Sequence, residues 1–171
     1  VVYAIIVNKY YHLSSDYEPD DLATISTKYS WGTLGSQKVR QEAYDAYIEM
    51  HQAAQAEANI YLMVNSSYRK YSDQERVYNE LTKAYGPNYD VAKPGFSEHQ
   101  TGLVVDIAAG STSTFKNSKE AKWIMQNAHK YGFIFRYSSD KIKITGYNEP
   151  AHFRYVGDIA KEIYEKNITF E

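Results

Sequence analysis

The run Leu103-Val104-Val105-Asp106-Ile107-Ala108 sets one carboxylate in the middle of apolar, largely β-branched residues. Such a run reads as a buried strand. Side chains alternate across a strand, so Asp106 shares a face with Val104 and lies opposite Leu103, Val105 and Ile107. An ionised carboxylate in that setting is costly unless it is paired or coordinates a metal. The chain must fold so that a cation meets Asp106. A salt bridge to an arginine is the ordinary solution, and a metal is the other.

The metal solution needs further ligands. His99 stands seven positions before Asp106, with Gly102 between them to turn the chain back. Glu149-Pro150-Ala151-His152 supplies a second imidazole and a second carboxylate. Zinc accepts imidazole nitrogen and carboxylate oxygen at about 2.0–2.2 Å, and catalytic sites use three protein ligands with one position left open. His99, Asp106 and His152 make such a set. Glu149 is then left over, three residues before His152 across a proline-bent loop, where it could take a proton from an activated water. Arg69, in the polar stretch after an apolar strand, is the candidate cation for an oxyanion. Either motif recurs by chance. Spacing alone leaves three readings open: a metal hydrolase, a structural metal, and no metal.

Bulk properties narrow the classes. At 171 residues the chain can bury a sizeable core as one domain. A net charge of −2 argues against nucleic acid as the main partner, because phosphate binding needs a basic face. There is no cysteine, which excludes disulfides, thiolate metal sites and cysteine nucleophiles and is compatible with life outside a bacterial membrane. No apolar run approaches the length of a membrane span. The chain opens on Val1 rather than Met, so upstream residues are expected to have been removed, and a signal peptide or anchor could have stood among them.

Read in order, residues 1–7 form a strand or extended arm, and the polar segment with Asp16, Pro19, Asp20 and Asp21 a loop over the body. Gly32 and Gly35 mark a break. Val39, Ala43, Tyr47, Met50, Ala54 and Ala58 predict a helix from Ser36 to Ala58 that ends at Asn59. Residues 60–64 predict a strand, and Ser72 the cap of a helix from Asp73 to Tyr85. Residues 110–116 read as a loop, then a helix from Ser118 to Tyr131 with Asn117 and Glu120 as its capping pair. Strands follow at 133–136, 144–147 and 152–156, with a tight loop at 148–151 and a last helix opened by Gly157 and Asp158. His51 reads as a helix-surface residue and His129 as structural. His12 has no second ligand at useful spacing. Strands and helices in this order imply a single α+β domain over residues 1–171.

The combination Ser97-x-His99-x-x-Gly102-x-Val104-x-Asp106 with Glu149-x-x-His152 resembles the zinc D-alanyl-D-alanine carboxypeptidases and dipeptidases of bacterial cell walls. That group includes the vancomycin-resistance D,D-peptidases and the related L,D-carboxypeptidases, with murein endopeptidases and the Hedgehog domain as distant relatives. Val7-Asn8-Lys9, Tyr17-x-Pro19-x-Asp21-Leu22, Ser66-Ser67-Tyr68-Arg69 with Gln74, and His152-Phe153-Arg154-Tyr155-Val156-Gly157 extend the likeness over nearly the whole chain. The resemblance implies a small central antiparallel sheet carrying the zinc site, flanked by helices. It implies one Zn2+ per chain on His99, Asp106 and His152, with Glu149 as the base. Arg69 would steady the scissile carbonyl oxygen. Ser97 and Gln74 would hold the C-terminal D-residue and its carboxylate, with Tyr68 and Ser67 on the same wall.

The implied substrate is a peptidoglycan stem peptide or a D-Ala-D-Ala-ended precursor, with no nucleic acid partner. Three specificities compete: D,D-carboxypeptidase, which is favoured, with D,D-dipeptidase activity beside it, and L,D-carboxypeptidase on tetrapeptides. A non-catalytic binding module on the same fold is the rival from another class, and the intact Glu149 counts against it. The implied location is the extracytoplasmic face of a bacterial envelope, or the cytoplasm for an enzyme that is mainly a dipeptidase. Two positions depart from the family pattern. Val104 replaces the usual alanine, and Ala151 replaces a tryptophan between base and ligand, which opens space beside the site.

Overall fold

The computed structural model describes residues 3–31, 36–108 and 112–171. Its centre is a four-stranded antiparallel sheet in the order β3-β4-β6-β5, from Met63–Ser66 (β3), Val104–Ala108 (β4), Phe133–Tyr137 (β5) and Glu149–Tyr155 (β6). Leu22–Thr24 (β1) and Lys38–Arg40 (β2) pair as a separate antiparallel ribbon. The helices are Gln41–Ala58 (α1), Tyr71–Tyr85 (α2), Thr112–Lys116 (α3), Lys119–Asn127 (α4), Ile142–Thr145 (α5) and Ala160–Lys166 (α6). This is the expected α+β architecture. None of these helices is long and apolar enough to cross a membrane.

Alternation along the strands divides the sheet chemically. Val105 and Ile107 of β4, Phe133 of β5, and Phe153 and Tyr155 of β6 belong to one buried apolar cluster. The stripe Val39, Ala43, Tyr47, Met50 and Ala54 of α1 and its approach joins that cluster, as do Ala121 and Ile124 of α4. The intervening residues, Asp106, Arg136, His152 and Arg154, emerge on the other side. One face of the sheet is hydrocarbon, and the other carries the ionic groups beside buried Val104 and Ile134.

Several elements differ from the sequence reading. Residues 38–40 are drawn into the ribbon with β1, so α1 begins at Gln41 rather than Ser36. Its end is as expected: Asn59 is left-handed (φ 51°) and caps the carbonyls of Ala54 and Gln55. β3 starts at Met63, after an irregular 60–62. α2 starts at Tyr71, two residues before the predicted start, with no side-chain cap, so Ser72 lies inside the helix. Ser118, not Asn117, caps α4, its Oγ accepting from the Ala121 N–H at 3.1 Å. α3 occupies ground read as loop, anchored by the wholly buried Phe115. Residues 142–145 are helical, and 148–151 are largely strand, because β6 pairs with β5 back to Glu149. Residues 4–7 form no ladder, and the glycines expected to break the chain at 32 and 35 lie outside the described residues, as do 110 and 111 of the predicted loop.

His51 is the clearest correction. It is 2% exposed, not on the helix surface. Its Nδ1 lies 2.8 Å from the Leu62 carbonyl, and its ring packs edge-on against Tyr29. Burial lowers its pKa, so it is a neutral core histidine. His129 stacks on Tyr164, as a structural residue would.

Leu62 is wholly buried where α1 meets β3. Leu62→Ala is expected to cost about 2–5 kcal/mol of unfolding free energy, read as a lower urea midpoint with an unchanged slope.

Candidate active site and metal centre

Gly102 makes the first motif possible. It closes a tight turn of residues 98–101 with φ +69°, and a β-carbon there would meet Arg40 Cγ and Leu22 Cδ2 at 3.0 Å. Only glycine adopts that conformation and approach without strain. The turn presents His99 to the start of β4. The register then sets Asp106 of β4 directly opposite His152 of β6 and next to Ser66 of β3.

Glu149 and His152 sit three apart in one strand, and a regular strand would aim them at opposite faces. β6 is irregular here. Its pairing passes from Phe153 opposite Phe135 to Glu149 opposite Tyr137, so β6 uses four residues while β5 uses two. The excess lies around Pro150, a residue that strands tolerate at bulges. As a result Glu149 Oε2 and His152 Nδ1 are 3.1 Å apart.

The candidate ligand atoms converge. His99, Asp106 and His152 each offer one within 4.8 Å of the others. His99 Nε2 is 3.2 Å from Asp106 Oδ2, and His152 Nδ1 is 3.3 Å from Asp106 Oδ1. Each ring is oriented from behind. His99 Nδ1 donates to the Ser67 carbonyl at 2.6 Å, which leaves Nε2 as the lone-pair nitrogen. His152 Nε2 donates to Glu98 Oε2 at 2.9 Å, which leaves Nδ1 free. A carbonyl or carboxylate behind the ring is how metal-binding histidines are usually fixed. Asp106 Oδ1 and His152 Nδ1 are buried without a hydrogen-bond partner among the described residues. Two orphaned donor atoms beside a third, all on correctly oriented groups, fit a divalent cation.

Electrostatics agree. Burial pushes the Asp106 carboxyl up, but the His99 and His152 imidazoles outweigh it and hold the group well below the usual carboxylate range. Burial lowers the His152 pKa, but Asp106, Glu149 and Glu98 together raise it well above its ordinary value. A metal on His152 displaces that proton, so metal affinity falls as pH falls.

Glu98 escaped the sequence reading. Its side chain is wholly buried and takes three partners: Arg136 Nε at 2.8 Å and Arg154 Nη1 at 3.0 Å on Oε1, and His152 on Oε2. Arg136 and Arg154, each between two aromatic residues of a strand, were the signal that a buried anion must exist. Tyr147 was also missed. It is buried in the cleft wall, where burial, Asp90 and Glu149 push its phenol up to about 12, so it remains a donor at neutral pH.

Two cavities meet at Asp106, Glu149 and His152. One, of about 210 Å³, has Arg69, Gln74, Ser97 and Tyr147 as polar lining and Val77, Leu81, Val91 and Ala92 as apolar lining. Arg69 donates to Gln74 Oε1 at 2.6 Å and Ser66 Oγ at 3.3 Å, and Gln74 donates on to the Ala92 carbonyl at 2.7 Å. The other, of about 220 Å³, is lined by Ala151, Phe115, Ile107, Asn65 and Asn148. Glu149 is half-exposed between them. Ser67 and Tyr68 line neither cavity. The Ser67 hydroxyl donates to Gln37 and accepts from the Lys38 N–H, on the far side of the turn. Only the Ser67 backbone serves the site. The Tyr68 hydroxyl is buried and has no hydrogen-bond partner among the described residues. His12 is exposed and packs on Phe96, outside the cluster.

Fold and donor set define a class: an α+β domain with a His–Asp–His cluster in a cleft, able to hold one divalent metal beside a free carboxylate. The sequence profile described as VanY: D-alanyl-D-alanine carboxypeptidase matches residues 36–158. The chain belongs to that carboxypeptidase family. It is 39% identical to the putative carboxypeptidase YodJ of Bacillus subtilis over 97% of its length, and spans 64% of that relative. The LdcB LD-carboxypeptidase structure superposes with a TM-score of 0.89 at 39% identity, covering 96% of this chain and 82% of that one. A mutant of the vancomycin-resistance D,D-pentapeptidase VanY from a VanB-type cassette, in complex with Zn(II), superposes at 0.82 with 29% identity, covering 99% and 97%.

The Glu98 carboxyl is raised by burial but lowered further by Arg136, Arg154 and His152, so its folded pKa lies well below the ordinary 4.5. Its contribution is fully present above the unfolded pKa and is lost as pH falls toward the folded one. Glu98→Gln is expected to cost about 3–5 kcal/mol at pH 7, as when a buried ion pair loses one partner. The gap from native in urea titrations should narrow steadily below about pH 4.5.

Proposed function

We propose that residues 1–171 form one catalytic domain of a zinc-dependent carboxypeptidase. It removes the C-terminal D-alanine from peptidoglycan stem peptides or D-Ala-D-Ala-ended precursors, at the extracytoplasmic face of a bacterial envelope. The observation that carries this is the oriented His99–Asp106–His152 donor set with half-exposed Glu149 where the two cavities meet.

His99 through Nε2, His152 through Nδ1 and Asp106 through its carboxylate would hold one Zn2+. When bound, zinc polarises a carbonyl and lowers the pKa of a water. The chain supplies the rest. Glu149 takes the proton of the attacking water and returns it to the leaving amine, acting as base and then acid. Arg69 faces the same cavity and stabilises negative charge on the scissile carbonyl oxygen. Its cavity suits a small residue with a free carboxylate. Arg69, Gln74, Ser97 and Tyr147 supply the donors, and Val77, Leu81, Val91 and Ala92 the apolar wall. The cavity beside Ala151 gives the preceding residues of a longer peptide a place, which supports a carboxypeptidase over a strict dipeptidase.

An L,D-carboxypeptidase acting on tetrapeptide stems is the second reading. The likeness to LdcB, higher in both identity and superposition than that to VanY, supports it.

Purified, zinc-verified protein incubated with pentapeptide, tetrapeptide and D-Ala-D-Ala should release D-alanine most rapidly from the pentapeptide. The tetrapeptide in first place would select the L,D reading, and release from none would overturn the enzyme. Glu149→Ala should lower kcat by about 10²–10⁴-fold, the usual range for loss of a general base, while metal analysis still finds one zinc per chain. Survival of activity in that variant would remove Glu149 from the role of base.

A further inference from the structure

We infer that Glu171 is a positioning residue for this metal site, acting through Arg136 and Glu98 on His152. The inference rests on the proposed zinc reading and extends it to a segment outside the lining of the cleft. Glu171 grips Arg136 with both oxygens, Oε1 on Nη2 at 2.6 Å and Oε2 on Nη1 at 3.1 Å. The Arg136 side chain is wholly buried, and its remaining nitrogen, Nε, donates to Glu98 Oε1 at 2.8 Å. Glu98 Oε2 then accepts from His152 Nε2, and Nδ1 faces Asp106. Two side chains, Arg136 and Glu98, connect Glu171 to a proposed ligand, His152.

The guanidinium is planar, with its donors in a fixed fork. Once Glu171 holds the fork, only Nε is left for Glu98, which leaves Oε2 to the imidazole. Without Glu171, a buried guanidinium loses the acceptors of two nitrogens. The nearest anion is Glu98, and a fork turned onto it engages both oxygens. His152 Nε2 then loses its acceptor, and the ring its orientation. Arg154, the other arginine on Glu98, is held by the carbonyls of Tyr3, Ile5 and Tyr155. Arg136 is thus the arginine whose anchor is a charged side chain. The Phe170 ring lies over both guanidiniums, at 5.7 Å from Arg136 and 5.0 Å from Arg154, and seats the segment that carries Glu171.

The test uses the full chain loaded with zinc, with Glu171→Ala, Glu171→Gln and, as a control for tail packing, the half-exposed Ile168→Ala. Two quantities are read: zinc affinity by competition with a chromophoric chelator, and the downfield imidazole proton of His152 in the zinc-loaded protein. Glu171→Ala should weaken zinc by about tenfold, the low end for loss of an outer-sphere partner, and shift that resonance. Glu171→Gln, which keeps one acceptor, should do so by less, and Ile168→Ala should change neither. Native affinity and resonance in Glu171→Ala would overturn the inference, as would equal losses in Glu171→Ala and Ile168→Ala. If the alanine variant does not fold, native values in Glu171→Gln overturn it. A native chain that neither binds zinc nor releases D-alanine overturns the functional reading as well. A native chain that does both, beside an unaffected Glu171→Ala, overturns only this inference.

Discussion

The Glu98 carboxylate, without solvent contact, meets three cationic or donor groups from two neighbouring strands. Burying it alone would cost far more than one hydrogen bond returns. Arg136, Arg154 and His152 make the burial possible, and each is fixed by it in turn. Through Arg154 the cluster holds the backbone of residues 3–5, and through Arg136 it holds residue 171. The tight turn that carries Glu98 also carries His99. One desolvated anion therefore ties the turn of the first motif to the strand of the second, and both to the segments on either side of them in sequence.

Division of the sheet into a hydrocarbon face and an ionic face explains how stability and chemistry coexist in so small a domain. Val105, Ile107, Phe133 and Phe153 close against α1 and α4 and supply the hydrophobic gain. The alternate residues are then free to be charged, provided they neutralise one another. β3 carries a bulge between Val64 and Ser66, opposite Ile107 and Asp106, and β6 is irregular around Pro150, where the irregularity brings Glu149 to the same side as His152.

Much of this was legible in the sequence, for reasons that can be stated. Asp106 stood out because an apolar strand does not carry a carboxylate idly. His99, Glu149 and His152 followed from spacing. α1 showed itself by its stripe, and its end by Asn59. Glu98 did not, because it sits in a polar run beside a histidine, and its arginines are 38 and 56 residues away. The clue lay in those arginines, each between two aromatic residues of a strand. His51 was misjudged because its partners, Tyr29 and the Leu62 carbonyl, belong to other elements. Pro150 suggested a loop and was part of a bulged strand. Ser67 looked like cleft lining, whereas its carbonyl orients His99 and its hydroxyl turns away.

The two walls of the cleft are held in different ways. His99 lies within a glycine-locked turn, and Asp106 and His152 sit on paired central strands. The facing wall is α2, whose one buried residue is Gln74, and the loop after it. Val77, Leu81, Val91 and Ala92 are only partly buried and belong to neither hydrophobic cluster of the described residues. Mutations among them can reshape the pocket with small effects on the sheet, so a lineage could drift in what the pocket accepts while the His99–Asp106–His152 cluster stayed unchanged.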